Sequence, residues 1–573
     1  MEQKLTGYPS IDKPWLKYYS EEAIKKQLKP DTIYGHLWKS NKDYLDDVAL
    51  VYFERKITYR KFFELIEQCK NSLTALGIKK GDIVTIQTLA IPQTVVLIYA
   101  LSRIGAIANL IYVSNNEEEV NNLLKETNSC AYFVIDSIYG KFSDVLKETN
   151  VNNVVLFSID SEMDFMTRTI YRLRSKKKQF KEYENVYSWK TFMQMKSSVE
   201  IMEVTEDSLP VVMVYTGGTT GISKGVVLTN RSINELIFQY EKADMGFMRQ
   251  DIFMDSLPPF IAFGVTIGLH LPLCMGIKTV LIADPTPQNQ GKMFEKYKPN
   301  YYVAGPVQVE AVVNHTYKKK DLSFIKIIAT GGDALPANKE NQINAFLKEH
   351  NCNTSVVQGY GMSELAATVC TGSATIQRFG TVGIPLPNTN VKIIDPESGQ
   401  EVSYGQQGEV CIFAPSVMLE YFNKPEETKR ILVKHADGLE WIHTGDIGVI
   451  DTDGFLTIIG RIKRMILVKE KSNNTVYQKV FPKMIEDQLE KIDGVQSAVI
   501  VGTGASADTK KLIAFIVPTL DKAILDKEIR QFVKKNFKGY ERPEEYRFVE
   551  QIPRTKIGKV DYRALEQEAQ NVQ

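Results

Sequence analysis

MVYTGGTTGISKGVVLTN, residues 213–230, sets a glycine- and threonine-rich loop between two short apolar runs. An apolar run that ends on such a loop reads as a strand, and loops after the strands of a parallel sheet are where ligands usually bind. Thr216, Gly217, Gly218, Thr219, Thr220 and Gly221 supply close backbone approach, amide donors and hydroxyl donors, and Lys224 adds a positive charge. These are the parts needed to wrap a polyphosphate. The spacing is not G-x-x-x-x-G-K-[ST], which disfavours a P-loop kinase or GTPase. On its own such a loop also serves as a plain turn.

A second block of the same kind, FIKIIATGGDALP (324–336), follows downstream. Upstream, in ITYRKFFELIEQCKNSLTALGIKKGDIVTIQ (57–87), Phe62, Phe63, Leu65, Ile66, Leu73 and Leu76 recur at helical spacing until Gly77, and IVTIQTL then reads as a strand. The alternation continues through TVVLIYALSRIGAIANLIYV, NNLLKETNSCAYFVI and NVNNVVLFSI. Helix and strand alternating across short connections predict an α/β fold with parallel-rich sheets. Past Gly380, VKIIDPESGQEV and GEVCIFAP carry turn signals between short apolar runs, predicting a small β-rich subdomain over about 380–460. After Arg461 the pattern restarts with PKMIEDQLEKIDGVQSAVIVG, KLIAFIVP and EIRQFVKKNF, an α+β module of ordinary domain size. The expected division is a large domain over 1–460, a hinge at 461–463 and a small domain over 464–573.

Composition excludes several classes. At roughly 150 residues per domain, 573 residues is no lone module, and 43% apolar with 24% charged residues excludes wholly disordered and low-complexity chains. The 70 Lys plus Arg nearly cancel 69 Asp plus Glu, so there is no general electrostatic reason to bind nucleic acid. The six cysteines lie far apart with no C-x-x-C, which fits reduced thiols in a cytosol better than a disulfide framework or a zinc site, and the histidines form no H-E-x-x-H. The amino terminus has no apolar signal-peptide core, and the longest apolar stretch, Val265 to Ala283, is broken by His270, Pro272 and Lys278. The expected location is cytoplasmic, with no transmembrane segment. Residues 163–181 hold seven Lys or Arg beside Phe165, Met166, Ile170 and Leu173, a pattern that reads first as a solvated surface helix or loop and second as weak contact with an anionic membrane surface.

Five further blocks follow the first loop in order: GGDALP (331–336), QGYGMSEL (358–365), WIHTGDIG (441–448), GRIKRMI (460–466) and PRTKIGKVDYRAL (553–565). Together they resemble the acyl-adenylate-forming (AMP-binding) superfamily, which includes acyl-CoA synthetases and 4-coumarate-CoA-ligase-like enzymes. The resemblance runs from about Ile57 to Leu565. It implies a large domain with a mobile C-terminal lid and a two-step reaction: a carboxylic acid attacks the α-phosphate of ATP to give acyl-AMP and pyrophosphate, and a thiol then takes the acyl group. The cofactors implied are ATP, Mg2+ and coenzyme A, or the phosphopantetheine of a separate carrier protein.

By the same resemblance, Thr216 to Gly221 with Lys224 hold the phosphates. Glu364 is the magnesium ligand, a hard oxygen donor suited to that ion; its plainer alternative is an exposed helix cap. Tyr360 stacks on adenine beside Gly331, Gly332 and Asp333, while Gln358, Gly359 and Ser363 lie near the acyl phosphate. Asp446 accepts from the ribose hydroxyls, Arg461 is its ribose and phosphate partner, and Lys559 presents an ammonium to the α-phosphate and acyl oxygen. The lid turns about Lys463, so that one site serves both steps.

Two departures qualify the match. LPPFIAFG (257–264) puts Ile261 where the family often has His and where amino-acid-activating domains place Asp, which argues against an amino acid substrate and for an apolar, fatty acid. The acid pocket is expected from Ile261, Phe263, Gly264, Val303, Gly305 and Gly331 to Asp333. After GRIKRMI the text LVKEKSNNTVYQKVFPKMIE has Glu470 at an expected Gly, on a loop that normally faces the thiol, which leaves carrier-protein loading open beside coenzyme A. A non-catalytic nucleotide sensor is the remaining alternative, disfavoured because Glu364 and Lys559 are both retained.

Overall fold

A computed structural model describes residues 5–164, 166–169, 185–199, 203–216, 223–470, 473–506, 509–555 and 559–571. Two large parallel-rich sheets dominate it. The first has eight strands in the order Glu420–Tyr421, Gly225–Thr229, Pro210–Tyr215, Ile107–Leu110, Ile83–Gln87, Ala131–Ile135, Asn153–Phe157 and Val186–Ser188, parallel from Pro210–Tyr215 onward. The second has nine, with five parallel pairings in its middle and antiparallel pairs at both edges.

The helix expected after Ile57 spans Tyr59–Ala75. Thr58 caps it by accepting from the Lys61 amide, and Tyr59, Phe62, Phe63, Ile66, Cys69 and Leu73 form its buried face. Leu65, counted with that face in the sequence, packs only at its margin. Helix Pro92–Ile104 is buried along its whole length. The largest apolar cluster takes Val84, Ile86 and Val212 from one sheet, Leu50, Tyr52 and Leu281 from the other, and the helices between them, so the core lies between the sheets. The apolar stretch from Val265 is buried as expected, as a π-helical segment Gly264–His270, a helix Leu271–Cys274 and a strand Lys278–Leu281. Among the described residues no helix is long and apolar enough to cross a membrane.

The β-rich unit is a five-stranded antiparallel sheet of Asn390–Ile394, Gly408–Phe413, Leu432–Lys434, Glu440–Ile450 and Leu456–Arg461. It starts later than 380, because Ile384–Pro385 still pairs with Ala367–Thr371 in the nine-stranded sheet. Beyond a 3-10 turn at Ile462–Arg464 come a two-stranded ribbon and a three-stranded sheet with helices Pro482–Leu489, Lys522–Asn536 and Tyr562–Gln570. Part of 163–181 lies outside the described residues. Within it, Met166 is exposed, and the Arg168 guanidinium donates to the backbone carbonyls of Asp160, Ser161 and Met163, so that charge serves a local turn.

Candidate active site

Four segments far apart in sequence converge on one face. The strand Val357–Met362 delivers Gln358, Gly359 and Tyr360 and runs into a 3-10 turn, Ser363–Leu365, that presents Glu364. Gly361 allows this: a Cβ there would lie 1.7 Å from the Ala367 carbonyl oxygen, so no side chain fits the antiparallel crossing. Strand Glu440–Ile450 carries Asp446 opposite Arg461 in the neighbouring strand. Thr444 orients this end, donating to the Val410 carbonyl at 2.8 Å and accepting the Asp446 amide at 3.1 Å.

Asp446 is buried. It accepts from the Tyr360 hydroxyl at 2.6 Å and from Arg461 Nε at 2.9 Å. Burial pushes its carboxyl pKa up, opposed by Arg461 and by the Tyr360 hydrogen bond. Tyr360 therefore plays two parts, packing its ring against the cluster of Leu365, Val369 and Ile412 while its hydroxyl fixes Asp446.

Glu364 is buried, not the exposed cap that was the plainer reading, and the Tyr421 hydroxyl donates to its Oε1. Among the described residues no Lys or Arg forms an ion pair with Glu364. Tyr421 comes from the edge strand Glu420–Tyr421, which pairs with Gly225–Thr229 just after the phosphate-type loop. Thr216 and Lys224 close the base of that loop through Thr216 N to Lys224 O at 3.0 Å and Lys224 N to Thr216 Oγ1 at 3.2 Å. Gly217, Gly218, Thr219, Thr220 and Gly221 lie outside the described residues. The Lys224 ammonium sits 4.4 Å over the Tyr421 ring and pairs with Glu427 Oε2 at 3.0 Å. Lys224 in turn holds the Glu427 carboxyl below its ordinary range.

Lys559 reaches this face from the C-terminal unit. Its backbone carbonyl accepts from the Thr555 amide at 2.7 Å, closing the turn that carries it. Burial, reinforced by Arg461, lowers its ammonium pKa, while Asp333, Asp446 and Glu364 pull it back up. The lysine therefore stands in the field of all three carboxylates. Lys463 is exposed in the turn Ile462–Arg464, whose next residue, Arg464, is tied to Glu486 at 2.7 Å and to the Tyr562 hydroxyl at 2.9 Å.

The residues expected around the acid are less uniformly gathered. Gly331 packs beside Phe263 and the Gly359 carbonyl: an added Cβ would meet them at 3.4 and 3.3 Å. Its amide donates to the Ala304 carbonyl, between Val303 and Gly305. Gly264 is required by sterics, since a Cβ would lie 1.8 Å from the Pro258 carbonyl oxygen. Ile261, by contrast, packs against the cluster of Ile111, Tyr112 and Tyr215. Gln358 donates to Glu340 Oε2 at 2.9 Å, Ser363 opens the Glu364 turn, and Asp333 is exposed beyond Gly332. Sequence reasoning missed Tyr421, Glu427 and Glu340. Each acts on a predicted residue from a distant segment and carries no local pattern of its own.

These strands and carboxylates meet a lysine from the C-terminal unit on one face. The chain belongs to the AMP-binding enzyme family: residues 37–422 match the model of that family, and residues 484–559 match that of its C-terminal domain. Similar curated proteins include the long-chain-fatty-acid–CoA ligase of Bacillus subtilis (strain 168), 26% identical over 98% of this chain and 99% of that one. The long-chain-fatty-acid–CoA ligase of Salmonella typhimurium is 28% identical over 98% of this chain and 99% of that one. Among solved structures, the anthranilate CoA ligase AuaEII in complex with anthranoyl-AMP superposes with a TM-score of 0.81 at 20% identity, covering 96% of this chain and all of that one, which establishes the shared fold.

Proposed function

We propose that the chain activates a hydrophobic, fatty carboxylic acid with ATP to acyl-AMP and pyrophosphate, then transfers the acyl group to coenzyme A. The observation that carries this reading is the placement of Lys559 in the field of Asp446, Arg461, Asp333 and Glu364, although it arises from the C-terminal unit. A binder alone has no need of a lysine carried in on a separate unit.

In this reading Asp446 accepts the ribose hydroxyls, with Tyr360 and Arg461 fixing its two oxygens. Gly331 to Asp333, Gly359 and Tyr360 border the adenine, and Gln358 and Ser363 lie toward the acyl phosphate. Thr216 to Gly221 and Lys224 take the phosphates, which requires Lys224 to exchange Glu427 for the triphosphate. Lys559 stabilises charge that develops between the acyl oxygen and the α-phosphate. The Glu364 site fits Mg2+: it is a buried hard carboxylate with one oxygen oriented by Tyr421 and no protein cation paired to it. When bound there, Mg2+ would neutralise phosphate charge. The acid side, bordered by Phe263, Gly264, Val303, Gly305 and Gly331, is apolar or small, and the carboxylate expected beside it, Asp333, is exposed. Residues 1–460, 461–463 and 464–573 are proposed as large domain, hinge at Lys463 and lid.

The names of the similar curated proteins favour coenzyme A over a carrier protein as acceptor and a fatty acid over an aryl acid. Pyrophosphate exchange into ATP across fatty, aryl and α-amino acids, followed by thioester formation with free coenzyme A, tests the reading. An α-amino acid outperforming every fatty and aryl acid, or transfer only to a carrier protein, would overturn the corresponding part.

A further inference from the structure

The outer face of the five-stranded sheet gathers a second group of chemistry-bearing side chains. Cys411 lies directly opposite His443 in the register of Gly408–Phe413 with Glu440–Ile450. His435 opens the hairpin turn before Glu440–Ile450, with its amide held by the Leu439 carbonyl at 3.0 Å. One ligand atom each of Cys411, His435 and His443 falls within 4.8 Å of the other two. The two imidazole Nε2 atoms face each other at 2.9 Å.

The second layer favours a metal. His443 Nδ1 meets Glu409 Oε2 at 3.0 Å, and the other Glu409 oxygen accepts the Gly445 amide at 3.0 Å. A carboxylate only accepts, so His443 carries its proton on Nδ1 and aims the Nε2 lone pair at His435. This carboxylate–histidine arrangement is the one that orients metal-ligating imidazoles. Cys411 is fully buried, while the two histidines are half-buried, which leaves one side open to solvent. Lys392, opposite Cys411, has its charge balanced by Asp437 at 3.1 Å and lies 3.8 Å over the Trp441 ring.

We propose that Cys411, His435 and His443 form a binding site for a single Zn2+ ion, with Glu409 as outer partner and water in the fourth position. Tetrahedral zinc with bonds of about 2.0 Å to nitrogen and 2.3 Å to sulfur spaces its ligand atoms about 3.3–3.6 Å apart, within small side-chain rotations of the observed cluster. Binding displaces the Cys411 thiol proton to solvent and moves the His435 proton from Nε2 to Nδ1, so both imidazoles bind as neutral ligands. The three ligands come from two strands and a turn, so no linear spacing announces them. The site braces the strand that carries Asp446, three residues beyond His443. The other His/Cys group, His36, His270 and Cys274, does not serve: Tyr99 and Asn234 occupy both ring nitrogens of His270.

The test strips the full chain with a chelator and titrates it with Co2+, then with Zn2+ in competition. One equivalent of Co2+ should give a thiolate-to-cobalt charge-transfer band and intense tetrahedral d–d bands, both displaced by Zn2+. Cys411→Ser should abolish the charge-transfer band, and His435→Gln should weaken Zn2+ competition by at least about tenfold. Glu409→Gln should weaken it by about 10–100-fold, and His36→Gln should leave the spectrum unchanged. A spectrum without the thiolate band, or one that survives His435→Gln, overturns the proposal. Because His435 sits in a half-exposed turn, that variant decides the matter even if Cys411→Ser does not fold.

Discussion

Lys559→Ala separates the two half-reactions. The alanine retains the backbone carbonyl that accepts from Thr555, so the carrying turn keeps its closing hydrogen bond and only the ammonium is lost. A unit charge about 4 Å from the reacting phosphate, at an effective dielectric of about 20, contributes about 4 kcal/mol. Removal of a single preorganised donor from such a position costs about 10²–10³ in rate, an independent figure of the same size. Adenylation, followed by pyrophosphate exchange, should therefore fall by about 10²–10³-fold. Thioester formation from supplied acyl-AMP and coenzyme A should stay near the wild-type rate, because the lid is proposed to withdraw the lysine before the thiol enters. The wild-type pH profile adds a second readout. Burial and Arg461 depress the Lys559 pKa, so the exchange reaction should lose its alkaline limb at a lower pH than an ordinary lysine would dictate. Equal loss of both half-reactions in a variant with unchanged circular dichroism and Tm would refute the role given to this lysine.

Other variants probe the remaining parts. Lys463→Pro, at the exposed middle of the turn Ile462–Arg464, should depress thioester formation more than exchange, because a fixed φ limits rotation at the pivot; the ratio of the two rates is the measurement. Tyr421→Phe removes the hydroxyl that orients Glu364 and should raise the Mg2+ requirement of exchange by about 10–100-fold. Glu427→Gln frees Lys224 from a partly exposed pair, so KM for ATP should fall by a few-fold at most. Glu490 is buried in the C-terminal unit, and burial pushes its carboxyl pKa up to about 7. The folded state therefore holds its proton more tightly than the unfolded one, and stability falls as pH rises from the ordinary carboxylate range through 7. Glu490→Gln should remove that fall, gaining up to about 3 kcal/mol over wild type by pH 8 in denaturant titrations.

What the sequence discloses follows contact range. The helix Tyr59–Ala75, its apolar face and the strand after it are written in nearest-neighbour spacing, and they were legible. The motifs around Thr216, Glu364 and Asp446 stood out because backbone approach and charge demand particular residues at fixed offsets, and the roles given to them are proposals. Tyr421 was not. Its meaning depends on a two-residue edge strand crossing back from the β-rich unit to pair with Val226 and Val227, a contact nearly two hundred residues away in sequence. Cys411 and His443 were dismissed as metal ligands for the same reason: strand register brings them together, and linear spacing does not. Ile261 shows the converse limit. Its position in the motif was readable, but its packing against the cluster of Ile111, Tyr112 and Tyr215 depends on contacts with segments distant in sequence.

On the proposed reading, the charge balance favours a divalent cation at this site. Asp446, Glu364 and Asp333 bring three carboxylates into the field of Lys559, while Arg461 already answers Asp446 and Lys224 is held by Glu427. A triphosphate and an acid carboxylate must meet there against this excess of negative charge. Lys224 can be released, at a cost no larger than that of a partly exposed ion pair, and Lys559 can be delivered by the lid. Both are single charges set against at least four. Among the described residues no Lys or Arg pairs with Glu364, and Tyr421 already holds one of its oxygens. A carboxylate left uncompensated in a buried site is costly unless a ligand completes it. With Mg2+ held by Glu364, that carboxylate would no longer repel the triphosphate. Nucleotide and metal should therefore bind cooperatively, each weakly without the other, and Tyr421→Phe should reduce that coupling.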